Sequence, residues 1–176
     1  MSEFITKKDL LYDSLMEFYR HVNNLEVLLP IIEQRSNISL RILDWLVTNY
    51  SKKYNIYYEN YKNGNRCIFC IYLSYKNQLK AYSKKFFDPF CRRDRITIEL
   101  NKLNKNYTGT ITSTIGQLNF FRWFIENKLL NYVVINVNKI DEDMNDTLKN
   151  NSKVSKRKEL SNSSIRNVNI ISNHFI

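Results

Sequence analysis

The residue pattern predicts an α+β fold: an antiparallel sheet of about four strands, in two hairpins, packed with helices, with a helical N-terminus and a flexible C-terminal tail. Three observations carry this. Apolar residues recur at a helical period in three stretches. Two pairs of aromatic and β-branched runs flank turn signals. The resulting order, two helices, hairpin, helix, hairpin, helix, suits an α+β domain with a sheet of ordinary size. With 176 residues, 43% of them hydrophobic, the chain can bury a core without staples. A single domain over residues 1–140 is expected, followed by a polar, largely flexible tail over 141–176.

Leu10, Leu11, Leu15, Phe18, Tyr19 and Val22 repeat near a period of 3.6, and Asp9 and Asp13 sit where a helix dipole favours acids. Pro30 interrupts the run from Leu25 to Ile32, so a helix there breaks or restarts. A second helix follows from about Ser39 to Lys52, with Asn37 or Ser39 as cap and Ile42, Leu43, Leu46, Val47 and Tyr50 inward. Asp44, beside Trp45, reads as an exposed or capping acid.

Tyr54 to Tyr61 and Arg66 to Tyr75 then flank Lys62-Asn63-Gly64-Asn65, whose Asn-Gly pair suits a tight primed turn. Both faces of the second run are apolar, which suggests a central strand. A basic helix is expected from Lys76 to Phe87, with Lys76, Lys80 and Lys84 in one stripe and Leu79, Tyr82 and Phe86 in another. Asp88-Pro89 ends it. Strands from Arg95 to Leu100 and from Tyr107 to Thr112 form the second hairpin. The last helix, Thr114 to about Leu130, opens on a capping pattern with Gln117 and is apolar on nearly every side. From Asp141 an acidic cluster leads into a segment rich in Ser, Asn and Lys, which is read as tail. Within it, Lys156-Arg157-Lys158 reads as solvated tail rather than a nuclear address, and Val168 to Ile176 could dock as a short strand.

Charge is unevenly placed. Of the net +10, residues 52–105 hold 13 cations and four acids, whereas residues 1–51 hold five cations and seven acids. An A/T-rich genome would spread lysine along the whole chain, so the clustering points to a use. Lys76, Lys80, Lys84, Lys85, Arg92, Arg93 and Arg95 are the candidate phosphate contacts, with Tyr72 and Tyr75 the candidate stackers on unpaired bases. Tyr57 and Tyr61 offer further rings. The competing reading is that the tyrosines are core, and that the basic surface meets an acidic protein or lipid headgroups.

Catalytic and metal chemistry find little support. Cys67-x-x-Cys70 has metal-like spacing, but a strand points its thiols to opposite faces, and only His21, His174 and Cys91 could complete a site. The three cysteines read as free thiols of a reducing compartment. A Cys91/His21 pair lacks a supporting signature. Asp88, Asp94, Glu99 and Lys102 loosely suggest a restriction-type nuclease, but the acid-x-Lys pattern is offset; Asp88 reads instead as a turn cap and Asp94 as a partner of a neighbouring arginine. The glycines, Gly64, Gly109 and Gly116, form no phosphate loop. No catalytic residue, metal site or cofactor is therefore assigned. The start MSEFITKK lacks an apolar signal region, and no run is long enough to span a membrane.

Three segments, SLRILDWLVTNYSKK (39–53), YLSYKNQLKAYSKKFFDPFCRRDRI (72–96) and TSTIGQLNFFRWFIENKLLNYV (112–133), resemble an uncharacterised protein family of nucleocytoplasmic large DNA viruses, including mimivirus-like giant viruses. The resemblance carries no site residues. It implies a viral protein of the host cytoplasm, in the virus factory, or of the virion, where a basic protein meets DNA, RNA or other viral proteins. The expected function is non-enzymatic nucleic-acid binding in transcription, replication or genome packaging. The alternative is a virion structural or assembly protein that makes protein contacts through helix 114–130 and the tail.

Overall fold

The computed structural model describes residues 5–62, 64–153 and 170–171. Two compact units emerge, one from residues 1–40 and 79–131, the other from 41–78 and 132–176.

The first unit opens with α1 (Lys7–Arg20), fixed at its start by a reciprocal capping box between Thr6 and Asp9. His21 then breaks the run, and α2 (Val22–Ile32) accommodates Pro30 near its C-terminal end. A hairpin pairs β3 (Arg95–Glu99) with β4 (Thr110–Thr114) in the register Arg95↔Thr114 to Glu99↔Thr110. The short helix α6 (Leu100–Leu103) stands between those strands. β4 runs directly into α7 (Ile115–Glu126), where Thr114 accepts the Gln117 amide as the capping pattern expects. Around α7 pack α1, α2 and β4. Its Leu118, Phe120, Phe121, Trp123 and Phe124 are buried, as are Leu15, Tyr19, Leu25 and Leu28. The Tyr19 hydroxyl donates to the Leu118 carbonyl at 2.7 Å, and burial raises its pKa above the ordinary phenol value, keeping it a donor.

The second unit begins within one continuous helical run over residues 40–53, whose first residue belongs to the first unit: α3 (Leu40–Trp45), a π-turn (Leu46–Tyr50) and α4 (Ser51–Lys53). An antiparallel hairpin follows, β1 (Tyr57–Lys62) with β2 (Asn65–Cys70), and Gly64 takes φ 78° in its turn, as Asn-Gly predicts. Two elements follow that pass between the units: α5 (Ile71–Phe86) and α8 (Leu129–Lys153). A short β5 (Ile170–Ile171) lies parallel to β1.

The α+β class holds, and the four expected strands form the two expected hairpins. They belong to separate sheets, ordered β2-β1-β5 and β3-β4. β2 is consequently an edge strand rather than a central one, and Ile68 on it is 65% exposed. The strand also ends earlier than expected: at Ile71 the chain turns into α5, and Ile71 and Tyr75 are buried one helical turn apart. The boundary expected at residue 140 falls inside α8. Residues 141–153, read from composition as tail, continue that helix, because Leu129, Tyr132, Val133, Ile140 and Met144 keep a helical spacing of buried positions through the acidic cluster. The rest of the expected tail, residues 154–169 and 172–176, including Lys156-Arg157-Lys158, lies outside the described residues.

Gly116 is where α7 meets the backbone of residues 85–87. A Cβ there would lie 3.0 Å from the Lys85 carbonyl oxygen and 3.4 Å from the backbone of Phe86 and Phe87. Gly116→Ala is therefore expected to destabilise the protein by about 1–3 kcal/mol through overpacking, outweighing the roughly 1 kcal/mol that alanine gains in a helix. The urea midpoint checks this, and a raised midpoint would mean that residues 85–87 are not fixed against α7.

Candidate functional site

In the first unit the chain leaves α5 through a kink at Ser83, whose φ 57° and ψ 171° are conformations that glycine adopts readily and serine adopts under strain. The Ser83 hydroxyl accepts the Lys85 amide at 3.3 Å. Residues 87–94 then form neither helix nor strand. Their backbone polar groups need partners, and α7 supplies them. Asn119 donates to the Phe86 carbonyl at 2.8 Å, Gln117 donates to the Pro89 carbonyl at 2.9 Å, and the Asp88 amide donates to the Gly116 carbonyl at 3.2 Å. Both side chains are held in turn: Ser113 donates to Gln117 at 2.8 Å, and Arg122 donates to Asn119 at 3.0 Å and to Ser14 at 2.9 Å. Phe87 anchors the segment in the core, its ring centroid 5.4 Å from Phe120 and 5.6 Å from Trp123.

This frame displays cations. Lys80, Lys84, Lys85, Arg92, Arg93 and Arg95 are all exposed in the first unit. Arg92 grips Asp88 with two hydrogen bonds of 3.0 Å and lies 4.5 Å from the Phe90 ring centroid. Asp88 also accepts the Phe90 amide at 3.2 Å, as a turn cap should. Asp94 faces Lys8 at 3.9 Å rather than a neighbouring arginine, and Glu99 pairs with Lys102 at 2.9 Å. The three acids of the nuclease-like group thus each have a separate basic partner. Among the described residues, Lys80, Lys84, Lys85, Arg93 and Arg95 enter no ion pair, and no cluster of three or more His, Cys, Asp or Glu is placed to hold a metal.

The structure divides the expected site. Tyr72, Tyr75 and Lys76 belong to the second unit. Tyr75 is 6% exposed, so its ring is core and unavailable to a base, which corrects its reading as a stacker. Tyr72 is half-buried, with the Lys52 ammonium 5.6 Å from its ring centroid. Lys76 is exposed. The Ser83 kink also breaks the stripe expected to join Lys76, Lys80 and Lys84.

Sequence reasoning missed a second constellation. Asp143 of α8, its side chain 5% exposed, receives a hydrogen bond of 2.9 Å from the Trp45 indole, one of 2.8 Å from the Tyr54 hydroxyl, and an ion pair from Lys53. Positions eight residues apart on an unbroken α-helix would diverge by about 80°. The wider winding of the π-turn takes up that difference, so Trp45 and Lys53 reach one carboxylate. Burial pushes the Asp143 pKa up, but the bonds from Lys53, Trp45 and Tyr54 outweigh it and hold the carboxyl below its ordinary value. The signal for this hub was the helical spacing of buried positions in α8, obscured by its acids and asparagines.

The chain matches DUF7197, a family of unknown function, over residues 2–174. It belongs to that family. This DUF7197 chain is also 42% identical, over 166 residues, to an uncharacterised protein of Acanthamoeba polyphaga mimivirus; the match covers 92% of the chain and spans 64% of that relative's length. The viral origin expected from the three quoted segments is supported by this relative. No solved structure matches the DUF7197 chain. Among its described residues, no helix is long and apolar enough to cross a membrane.

Because the folded Asp143 carboxyl titrates below its ordinary value of 3.8, its stabilising contribution is full above that value and is lost as pH falls through the lower folded value. Asp143→Asn is expected to cost about 2 kcal/mol at neutral pH, since an amide oxygen cannot satisfy all three donors. The gap from the unsubstituted protein should narrow in acid. Urea denaturation at neutral and acidic pH checks both, and equal stability at neutral pH would remove the hub's structural role.

Proposed function

We propose that this protein binds nucleic acid, through phosphate contacts made by Lys80, Lys84, Lys85, Arg93 and Arg95 of the first unit. The observation that carries the reading is the lack of compensation. The acids within the segment are engaged by Arg92 and Lys8, while these five exposed cations enter no ion pair among the described residues. Like charges concentrated on a pinned segment repel one another, and a polyanion relieves that repulsion while releasing its own counterions. The Asn119, Gln117 and Gly116 bonds fix the segment beforehand, which lowers the ordering penalty on binding. Arg92, engaged by Asp88 and Phe90, has a positioning role. Transcription, replication or genome packaging in a virus would each employ such a protein, in the virus factory or the particle.

The alternative is an assembly protein docking through helix 114–130 and the tail; most of the tail lies outside the described residues, and the helix does not favour that reading. The aromatic side chains of α7 are buried within the first unit.

Fluorescence anisotropy with single-stranded DNA, duplex DNA and RNA of equal length, at low and near-physiological salt, tests the reading. Binding is expected to weaken steeply with salt. The double reversal Lys84→Glu/Arg93→Glu should lower affinity and reduce the salt slope by about one per lost phosphate contact, with thermal stability shifted by less than about 0.5 kcal/mol because both positions are exposed. Unchanged affinity in the double variant would sink the assignment.

A further inference from the structure

We infer that the cleft between α1 and β3 in the first unit receives one unpaired guanine of a nucleic-acid strand, so that the protein prefers single strands containing guanine; the inference rests on the nucleic-acid reading above. The cleft encloses about 300 Å³. That is the lower end of the roughly 300–1,000 Å³ of small-molecule sites, and suits one base with its sugar. Its lining comes from α1, β3 and α6. Ile98 and Leu103 are buried there and give it an apolar floor. Tyr12 and Met16, both half-buried, stand one helical turn apart on α1, and the phenol ring is the flat group on which a base stacks.

The charged residues of the lining select the ligand. Arg20 is engaged by Glu17, and Lys102 by Glu99 at 2.9 Å. Asp13 lines the same cleft, is exposed, and enters no hydrogen bond or ion pair through its side chain among the described residues. A carboxylate only accepts, so the ligand must bring donors, and a phosphate is repelled. Guanine alone among the bases carries two adjacent donors on its Watson–Crick edge, N1–H and the N2 amino group, which match the two carboxylate oxygens. Adenine and cytosine set one amino group beside an acceptor nitrogen, and thymine and uracil set one N–H between two carbonyls. In a duplex the guanine edge is already paired, whereas in a single strand it is open. The phosphate finds its contact on β3 itself. Side chains alternate along a strand, so Arg95 shares the face of Thr97 and Glu99, roughly 7 Å from Thr97. That uncompensated cation beside the cleft also disfavours a basic peptide as the partner of Asp13.

The full chain is titrated against a labelled oligothymidylate and against the same oligonucleotide carrying one central guanine, both followed by anisotropy. The guanine oligonucleotide is expected to bind about fivefold tighter or more, the discrimination that a bidentate contact supplies. Asp13→Asn replaces one acceptor oxygen by a donor and should bring the two affinities together. Because Asp13 is exposed, that variant is expected to keep its thermal midpoint. Tyr12→Leu should weaken the guanine oligonucleotide more than the homopolymer, and free guanosine monophosphate should compete only weakly, since it lacks the neighbouring phosphates that meet the basic segment. Equal binding of the two oligonucleotides, or a guanine preference that survives Asp13→Asn, would overturn the cleft and leave the basic segment standing. Competition by guanosine monophosphate as strong as by the guanine oligonucleotide would overturn a strand as the source of the base. No binding to either oligonucleotide would overturn both the cleft and the segment.

Discussion

The backbone of residues 86–89 governs the first unit. It runs against α7 with little regular structure of its own, so its polar groups must be satisfied by side chains and by the exposed end of a helix. Gln117 and Asn119 are buried for that purpose, and Gly116 is a glycine because a side chain would push the two backbones apart. From these few contacts follow the position of Phe87 in the aromatic core and the place where the basic residues on either side of it reach the surface. An all-apolar α7 would pack as tightly but would leave the segment unfastened. The polar residues in this otherwise aromatic helix are what connect the fold to the candidate site.

The second unit solves a related problem with charge. A carboxylate at Asp143 is tolerable only because an ammonium, an indole N–H and a phenol converge on it. Those three donors come from the middle and the end of a single helical run and from the residue after it. Together they tie residues 45–54 to α8. The same tie orients the half-buried Trp45 ring at the wall of a cleft.

Legibility from sequence followed how local each signal was. The first hairpin was readable because Asn63-Gly64 has few other uses, and the start of α7 because Thr114 and Gln117 form a recognisable cap. The end of β2 was not, since Cys67 to Tyr75 is apolar under both a two-residue and a helical period, and the packing of Ile71 and Tyr75 decided between them. The Ser83 kink gave no warning, because glycine rather than serine marks such a conformation. The helical character of residues 141–153 was hidden by acids, although the buried positions kept their spacing. At the candidate site, the clustering of cations was plain from composition. What composition could not convey was that Arg92 is occupied, that Tyr75 is core, and that a buried aspartate forty-nine residues beyond Asp94 organises a different cleft.

The π-turn between Trp45 and Lys53 has a bearing on how chain length varies in this family. One residue more than a regular helix requires is stored there, and the helix on either side keeps its phase. A family member shorter by one residue in this stretch would wind as an ordinary α-helix and still present the same two side chains to the same acid. A member longer by one would not. Single-residue gaps in alignments across this helix are therefore compatible with an intact hub, and should be read as the loss of the bulge rather than as a shift in the residues beyond it.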